Sequence, residues 1–227
     1  MSQLSIGAIE PADDVVRRIV RVYDDPVVRA YCTIRFMILR QRFLFEIGQY
    51  LPRSGQVMDV GCGFGLFALY FAIQNPTIEI QGFDLNERRV GLARRAAASL
   101  GVQNVRFHVG DAAAFKLDES ISAAYMLDLM HHIPQASVRP LMATIVSNLA
   151  PGGRLLVKDI EPSPSYKLAF TWLLDKLMDY RAPVHYWDAR EVQSLLESLG
   201  LEVHRHSLID YLPYPHILYV GTRGRQP

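Results

Sequence analysis

The chain has little of what would commit it to a disulfide framework, a metal centre or a polyanionic partner. Only two of its 227 residues are cysteines, Cys32 and Cys62, with no Cys-x-x-Cys pair, so neither a disulfide framework nor a zinc site is indicated and no metal ligand set is assigned. Net charge is almost absent: 24 basic and 23 acidic residues leave +1. Without a whole-molecule field to hold a phosphate backbone, nucleic acid is not an expected partner. Arginines cluster at Arg17, Arg18 and Arg21 and again at Arg88, Arg89, Arg94 and Arg95, but apolar residues interleave with them at helical spacing and they read as solvated helix faces. Met1 to Asp14 lacks a basic region followed by an apolar core, so no secretory signal is visible and a cytoplasmic, reducing location is expected. One uncharged stretch, Val60 to Ile78, is interrupted by Gly61, Gly63, Gly65 and Pro76. Its continuous apolar part, Leu66 to Ile73, falls far short of the ~20 residues that span a bilayer.

What is present is an alternation. Asp14 to Leu51 is helical, with a break at Asp24-Asp25-Pro26 where Asp can cap and Pro can open the next helix; this predicts two leading helices. The second is apolar on more than one face and needs a cover. Strands are then expected at Gln56–Val60, Ile78–Phe83, Asn104–His108, Ser122–Leu127 and Arg154–Ile160, and helices at Leu66–Ile73, Glu87–Leu100 and Pro134–Leu149. A capped helix, Asp188–Leu199, precedes two late strands, Leu201–Ser207 and His216–Gly221. The fold class is therefore α/β: a doubly wound, mainly parallel sheet of seven strands, with N-terminal helices and a helical insertion after strand five.

The sharpest signal is Val57-Met58-Asp59-Val60-Gly61-Cys62-Gly63-Phe64-Gly65, three glycines at alternate positions where a strand becomes a helix. In open α/β sheets that turn is a ligand site, because the backbone can approach closely and the helix offers unpaired N–H groups. The dinucleotide fingerprint needs its third glycine where Leu66 stands, and no Gly-Lys-Ser/Thr marks a phosphate loop.

Here the chain resembles the class I S-adenosylmethionine-dependent methyltransferases, whose first motif is an acidic residue followed by Gly-x-Gly-x-Gly. Further matches are Gly82-Phe83-Asp84-Leu85, Val109-Gly110-Asp111-Ala112, and Tyr125-Met126-Leu127-Asp128 running into His131-His132-Ile133-Pro134. The resemblance implies a Rossmann-like methyltransferase fold with S-adenosylmethionine as cofactor and S-adenosylhomocysteine as product. It places Asp59 near the methionine end, Gly61, Cys62, Gly63 and Gly65 around it, Asp84 and Leu85 at the ribose, and Asp111 and Ala112 at the adenine, with Leu127 beside them. Cys62 reads as a packing residue, since nothing near it supplies a base. The corresponding division is one domain, 1–227, with a helical cap (1–51), a cofactor-binding core (52–160), an insertion or lid (161–187) and a C-terminal helix and strands (188–227).

Because the cofactor is already an electrophile, the protein has mainly to align a nucleophile and exclude water. A protonated acceptor such as a phenol, ionising near ~10, would gain from a histidine base. The candidates are His131 and His132 with Asp159, and secondarily His185. The aromatic insertion Glu161 to Trp187 suits an apolar or aromatic acceptor, with Arg181 or Lys167 to meet an acidic group or a carrier protein. Plain core packing, or docking on a second subunit as a homodimer, would look the same in sequence. The absence of Asn-Pro-Pro-Tyr or Asp-Pro-Pro-Tyr after strand four favours oxygen or carbon over nitrogen. The expected activity is methyl transfer to a small natural-product, pigment or quinone-like metabolite. The alternatives are a non-catalytic binding module and an aminopropyl transferase on the same fold.

Overall fold

The computed structural model describes residues 12–39, 41–114, 120–160, 185–208 and 216–225. Three helices lead: α1 (Ala12–Arg21), α2 (Pro26–Ile38) and α3 (Gln41–Gly48). Then follow β1 (Gly55–Val60), α4 (Leu66–Gln74), β2 (Ile78–Asp84), α5 (Glu87–Leu100), β3 (Val105–Val109) and β4 (Ile121–Leu127). A 3₁₀ turn (Met130–His132), α6 (Gln135–Asn148), β5 (Leu149–Ile160), α7 (Ala189–Ser198), β6 (Leu201–Leu208) and β7 (His216–Arg223) complete the order.

All seven strands join one sheet in the order β3-β2-β1-β4-β5-β7-β6. Strands β1 to β5 pair in parallel, and β7 inserts antiparallel between β5 and β6. The sheet separates two apolar layers. Helices α1 to α5 cover one face, with Leu69, Phe71 and Tyr125 in the middle of that layer. Helices α6 and α7 cover the other, around Met126, Met142, Val157 and Leu196. Helix α4 is buried on nearly every side (Leu66, Ala68, Leu69, Tyr70, Phe71, Ala72), as its unbroken apolar sequence requires. At its core Phe71 meets Tyr125 edge-on at 5.4 Å.

Local signals explain where elements start and stop. Asp25 caps α2, its carboxylate accepting from Val27 N at 2.8 Å and Val28 N at 3.3 Å, with Pro26 in the first turn. Asn86 caps α5, and Gly101 ends it in the left-handed region. Asp188 and Glu191 form a reciprocal capping box on α7.

Two expectations need correction. The second leading helix is two helices: Leu39 leaves helical geometry (φ −94°, ψ 80°) while its N–H still donates to Arg35 O. The break carries no Gly or Pro, and because Leu39, Phe43, Leu44 and Ile47 are all buried, the apolar pattern runs through it unmarked. Strand β5 begins at Leu149, not Arg154. Ile121 pairs with Leu149 and Ala123 with Arg154, so the Ala150–Gly153 turn is accommodated as a bulge within the ladder. Among the described residues Val27, Ile34 and Met37 of α2 are exposed, as is Phe45 of α3. Of the insertion Glu161 to Trp187, only His185, Tyr186 and Trp187 are among the described residues, so Lys167 and Arg181 lie outside them.

The arginine clusters serve local ends. Arg17 pairs with Asp14 and Arg88 with Asp25, while Arg94 donates to Phe107 O and Arg89 lies over the Phe64 ring. Among the described residues no helix is long and apolar enough to cross a membrane, and no group of three acidic, histidine or cysteine side chains is placed to hold a metal ion.

Candidate active site

Strand β1 lies between β2 and β4, so the order in which successive strands are laid down reverses beside it, and the crevice at its carboxyl end is where open α/β sheets take ligands. The glycine turn is built into that crevice. Gly61 and Cys62 both donate their N–H to Phe83 O, at 2.8 and 2.9 Å. Gly61 has φ +78°, and a Cβ there would stand 2.5 Å from Leu129. Gly65 has φ +81°, and its Cβ would meet Phe107 at 2.6 Å and Ala93 at 2.9 Å. A side chain at either position would be strained by the positive φ and crowd these neighbours, so these two glycines let the turn seat against the β4 exit and the α5/β3 layer. Gly63 N donates to Asp84 Oδ2 at 2.9 Å, tying the turn to the end of β2.

A cavity of about 720 Å³ opens from this turn; Gly61, Asp84, Leu85, Asp111, Ala112 and His132 are among its lining residues. Asp84 also accepts from Asn86 N at 2.8 Å, and Asp111 from Ala113 N at 2.8 Å, so both carboxylates are held by backbone amides at the cavity wall. Leu85 is 77% exposed over the same cavity, an apolar surface of the kind a flat ring would cover. A second pocket of about 40 Å³ shares Gly61 and is lined by Tyr31, Arg35, Asp59, Cys62 and Leu127. Burial pushes the Asp59 carboxyl up to about 8; the Tyr125 hydroxyl draws it down, without the geometry of a formed hydrogen bond, and Asp84 pushes it up again. Burial, then Asp59 and Asp84, raise the Cys62 thiol far above its ordinary range, so Cys62 lines the pocket as a neutral group.

The two histidines have separate places. His132 lines the large cavity. His131 is buried behind it, with ring centroids 4.0 Å apart, and Tyr186 stacks on its ring at 5.8 Å. Its Nδ1 lies 2.5 Å from Asp159 Oδ1 and its backbone N–H donates to Asp159 Oδ2 at 3.1 Å. His185 donates its N–H to His131 O, and its Nε2 lies 2.6 Å from Gln135 Nε2. The structure thus brings Asp59, Gly61, Cys62, Gly63, Leu127, Asp84, Leu85, Asp111, Ala112 and His132 around two joined pockets, with Gly65 packed behind the turn and the His131–Asp159 pair in a layer below.

Sequence reasoning missed a second buried charge group. Lys158, fully buried in β5, bonds Asp128 Oδ1, and Arg35 from α2 reaches Asp128 Oδ2 at 3.0 Å. Burial alone would push the Asp128 carboxyl up, but Lys158, Arg35 and His216 hold it well below the carboxylate range. The available signal was a lysine inside the apolar run Leu155-Leu156-Val157-Lys158.

Residues 34–206, well over half the chain, match the model of a family described as a methyltransferase domain. The chain belongs to that family. The match agrees with the class I S-adenosylmethionine-dependent methyltransferase family that the glycine motif implied. A ubiquinone biosynthesis O-methyltransferase of Sinorhizobium medicae is 29% identical over 133 residues, 56% of this methyltransferase and 52% of the relative. A 23S rRNA (uracil(747)-C(5))-methyltransferase of Serratia proteamaculans is 27% identical over 125 residues, 52% of this chain and 32% of the relative. The chain spans about half or less of the length of these curated relatives. Among solved structures, magnesium protoporphyrin IX methyltransferase from Synechocystis, with bound SAH, superposes with a TM-score of 0.65 at 20% identity, covering 92% of this chain and 93% of that one. At that identity the likeness establishes the fold.

Proposed function

We propose that this methyltransferase transfers a methyl group from S-adenosylmethionine to an oxygen or carbon of a small apolar or aromatic metabolite. The observation that carries the reading is that Asp59, Asp84 and Asp111, at the carboxyl ends of three strands, line two pockets sharing Gly61. That set fits a ligand with a cation at one end, a diol in the middle and a flat ring at the other. Asp59 is buried and available to an ammonium group, Asp84 is acceptor-only toward hydroxyls, and Leu85 with Ala112 presents apolar surface.

When bound, the cofactor supplies an activated methyl group. The chain's own residues then have to orient an acceptor and exclude water. Leu129, Ile133, Pro134 and Leu141 give the cavity beside His132 an apolar wall, which suits a metabolite better than a sugar or an RNA. A relative named for ubiquinone biosynthesis supports an oxygen acceptor, and one named for C5 of uracil supports a carbon. His132, on the cavity wall, is the residue we assign to the acceptor proton. Behind it, the Asp159 carboxyl group 2.5 Å from His131 Nδ1 favours the tautomer that carries its proton on that nitrogen.

The test is calorimetric titration with S-adenosylmethionine, S-adenosylhomocysteine and NAD. The first two should saturate and NAD should not, and Asp84→Ala should weaken binding at least tenfold, about 1.4 kcal/mol. Folded protein that binds neither adenosyl compound would sink the reading. Mass spectrometry of a phenol and quinol panel then identifies acceptors by S-adenosylhomocysteine release.

A further inference from the structure

A buried ion pair, Lys158–Asp128, and a buried histidine–carboxylate pair, His131–Asp159, stand back to back across the sheet where β4 and β5 end. Lys158 and Asp159 are consecutive in β5, so their side chains leave opposite faces. Each holds one residue of the turn that follows β4, and each holds it twice. Asp128 donates its N–H to Lys158 O at 2.9 Å and receives the Lys158 ammonium on Oδ1. His131 meets Asp159 through its ring at 2.5 Å and its N–H at 3.1 Å. Between the two holds, Asp128 is the only described non-glycine residue with positive φ, +53°. That left-handed step reverses the chain into the Met130–His132 turn.

We propose that Asp128 and Lys158 are positioning residues: their ion pair fixes the left-handed step, and so delivers His131 to Asp159 and His132 to the cavity. Asp tolerates this conformation better than most residues but does not require it, so the conformation needs a constraint. Among the described residues the constraint comes from Lys158 of β5 and Arg35 of α2, which pair with Asp128, with His216 of β7 acting on it electrostatically. A wholly buried lysine in an apolar strand is a poor route to stability, since a packed hydrophobic side chain would serve as well; specifying one geometry is the role that remains. Arg35 extends the hold to α2, whose Tyr31 and Arg35 also line the small pocket. The inference deepens the methyl-transfer reading and rests on it only for the chemistry that the placed histidines serve.

The experiment is proton and nitrogen NMR of the full chain labelled at histidine, with S-adenosylhomocysteine titrated in parallel. In the wild type, the short bond to Asp159 should give His131 a far-downfield Nδ1–H signal, assigned by its loss in His131→Asn. Lys158→Met and Asp128→Asn should each lose or broaden that signal while circular dichroism shows the fold retained. The double variant Asp128→Asn/Lys158→Met leaves no unpaired charge in β5 and serves if a single variant does not fold; it too should lose the signal. An unchanged His131 signal in any folded variant overturns the proposal. Wild-type protein that keeps the signal but fails to bind S-adenosylhomocysteine overturns the cofactor reading instead, so the two are separable.

Discussion

Asp159 grips His131 from below the cavity wall that His132 forms, and the rings of the two histidines lie 4.0 Å apart. Asp159→Asn keeps the size of the side chain and removes the carboxylate that fixes His131, against which the His132 ring rests. With a phenolic acceptor, turnover at neutral pH should fall by about 10²-fold, the lower end of general-base assistance, while cofactor affinity is unchanged. The deficit should narrow as pH approaches ~10, where the phenol ionises unaided. A pH–rate profile for both proteins checks this, and equal rates at neutral pH would remove the pair from the chemistry.

Gly65→Ala should cost stability through two separable effects. The left-handed backbone costs about 1–3 kcal/mol for a residue with a side chain, and a methyl forced against Phe107 and Ala93 adds about 1–3 kcal/mol of overpacking. Gly101→Ala is the control: φ is also positive at +68°, but nothing lies within 4 Å of the new Cβ. Urea unfolding should therefore show a loss of about 2–6 kcal/mol at position 65 and only the backbone part, about 1–3 kcal/mol, at position 101. Equal losses would mean that the glycine turn is not packed as described.

These two sites also mark how far the sequence could be read. Gly61, Gly63 and Gly65 were legible because backbone approach leaves a residue type that nothing else supplies. Asp84 and Asp111 were legible because each ends a strand at a known interval. The break at Leu39 was not, since buried residues flank it on both sides and no Gly or Pro punctuates it. Asp128 was visible only as the end of a strand. Its bond to Lys158 joins residues 30 positions apart, and its link to Arg35 depends on where α2 docks. Contacts set by tertiary docking leave no periodic trace, so the charge group that holds the turn escaped notice while the histidines it presents did not.

Neither cysteine should react in the folded protein. Burial pushes the Cys32 thiol up to about 12, and burial with two neighbouring carboxylates raises Cys62 further. Iodoacetamide at mildly alkaline pH should leave both unmodified by intact-mass measurement, with two additions after unfolding in urea. Fast modification of Cys62 in the native state would show that the small pocket is open to water and that Asp59 is less buried than it stands here.

Asp59 links the site to pH. Its carboxyl rises from an ordinary 3.8 to about 8 because burial penalises the charge first, with Asp84 adding to it and Tyr125 partly offsetting it. Between those values the native state holds a proton that the unfolded chain has released. The contribution to stability is therefore full below about pH 4, declines as pH rises toward 8, and changes no further above. Asp59→Asn mimics the protonated form, so it should gain on the wild type steadily from pH 4 to 8 in urea unfolding. Ligand binding reverses the sign. If the ammonium of S-adenosylhomocysteine pairs with Asp59, binding ionises it and expels a proton, and affinity should rise with pH up to about 8. Calorimetry at about pH 6.5 in buffers of different ionisation enthalpy would read close to one proton released by the wild type and none by Asp59→Asn. No buffer dependence in the wild type would mean that Asp59 is already ionised in the free protein, and that the ammonium end binds elsewhere or without its help.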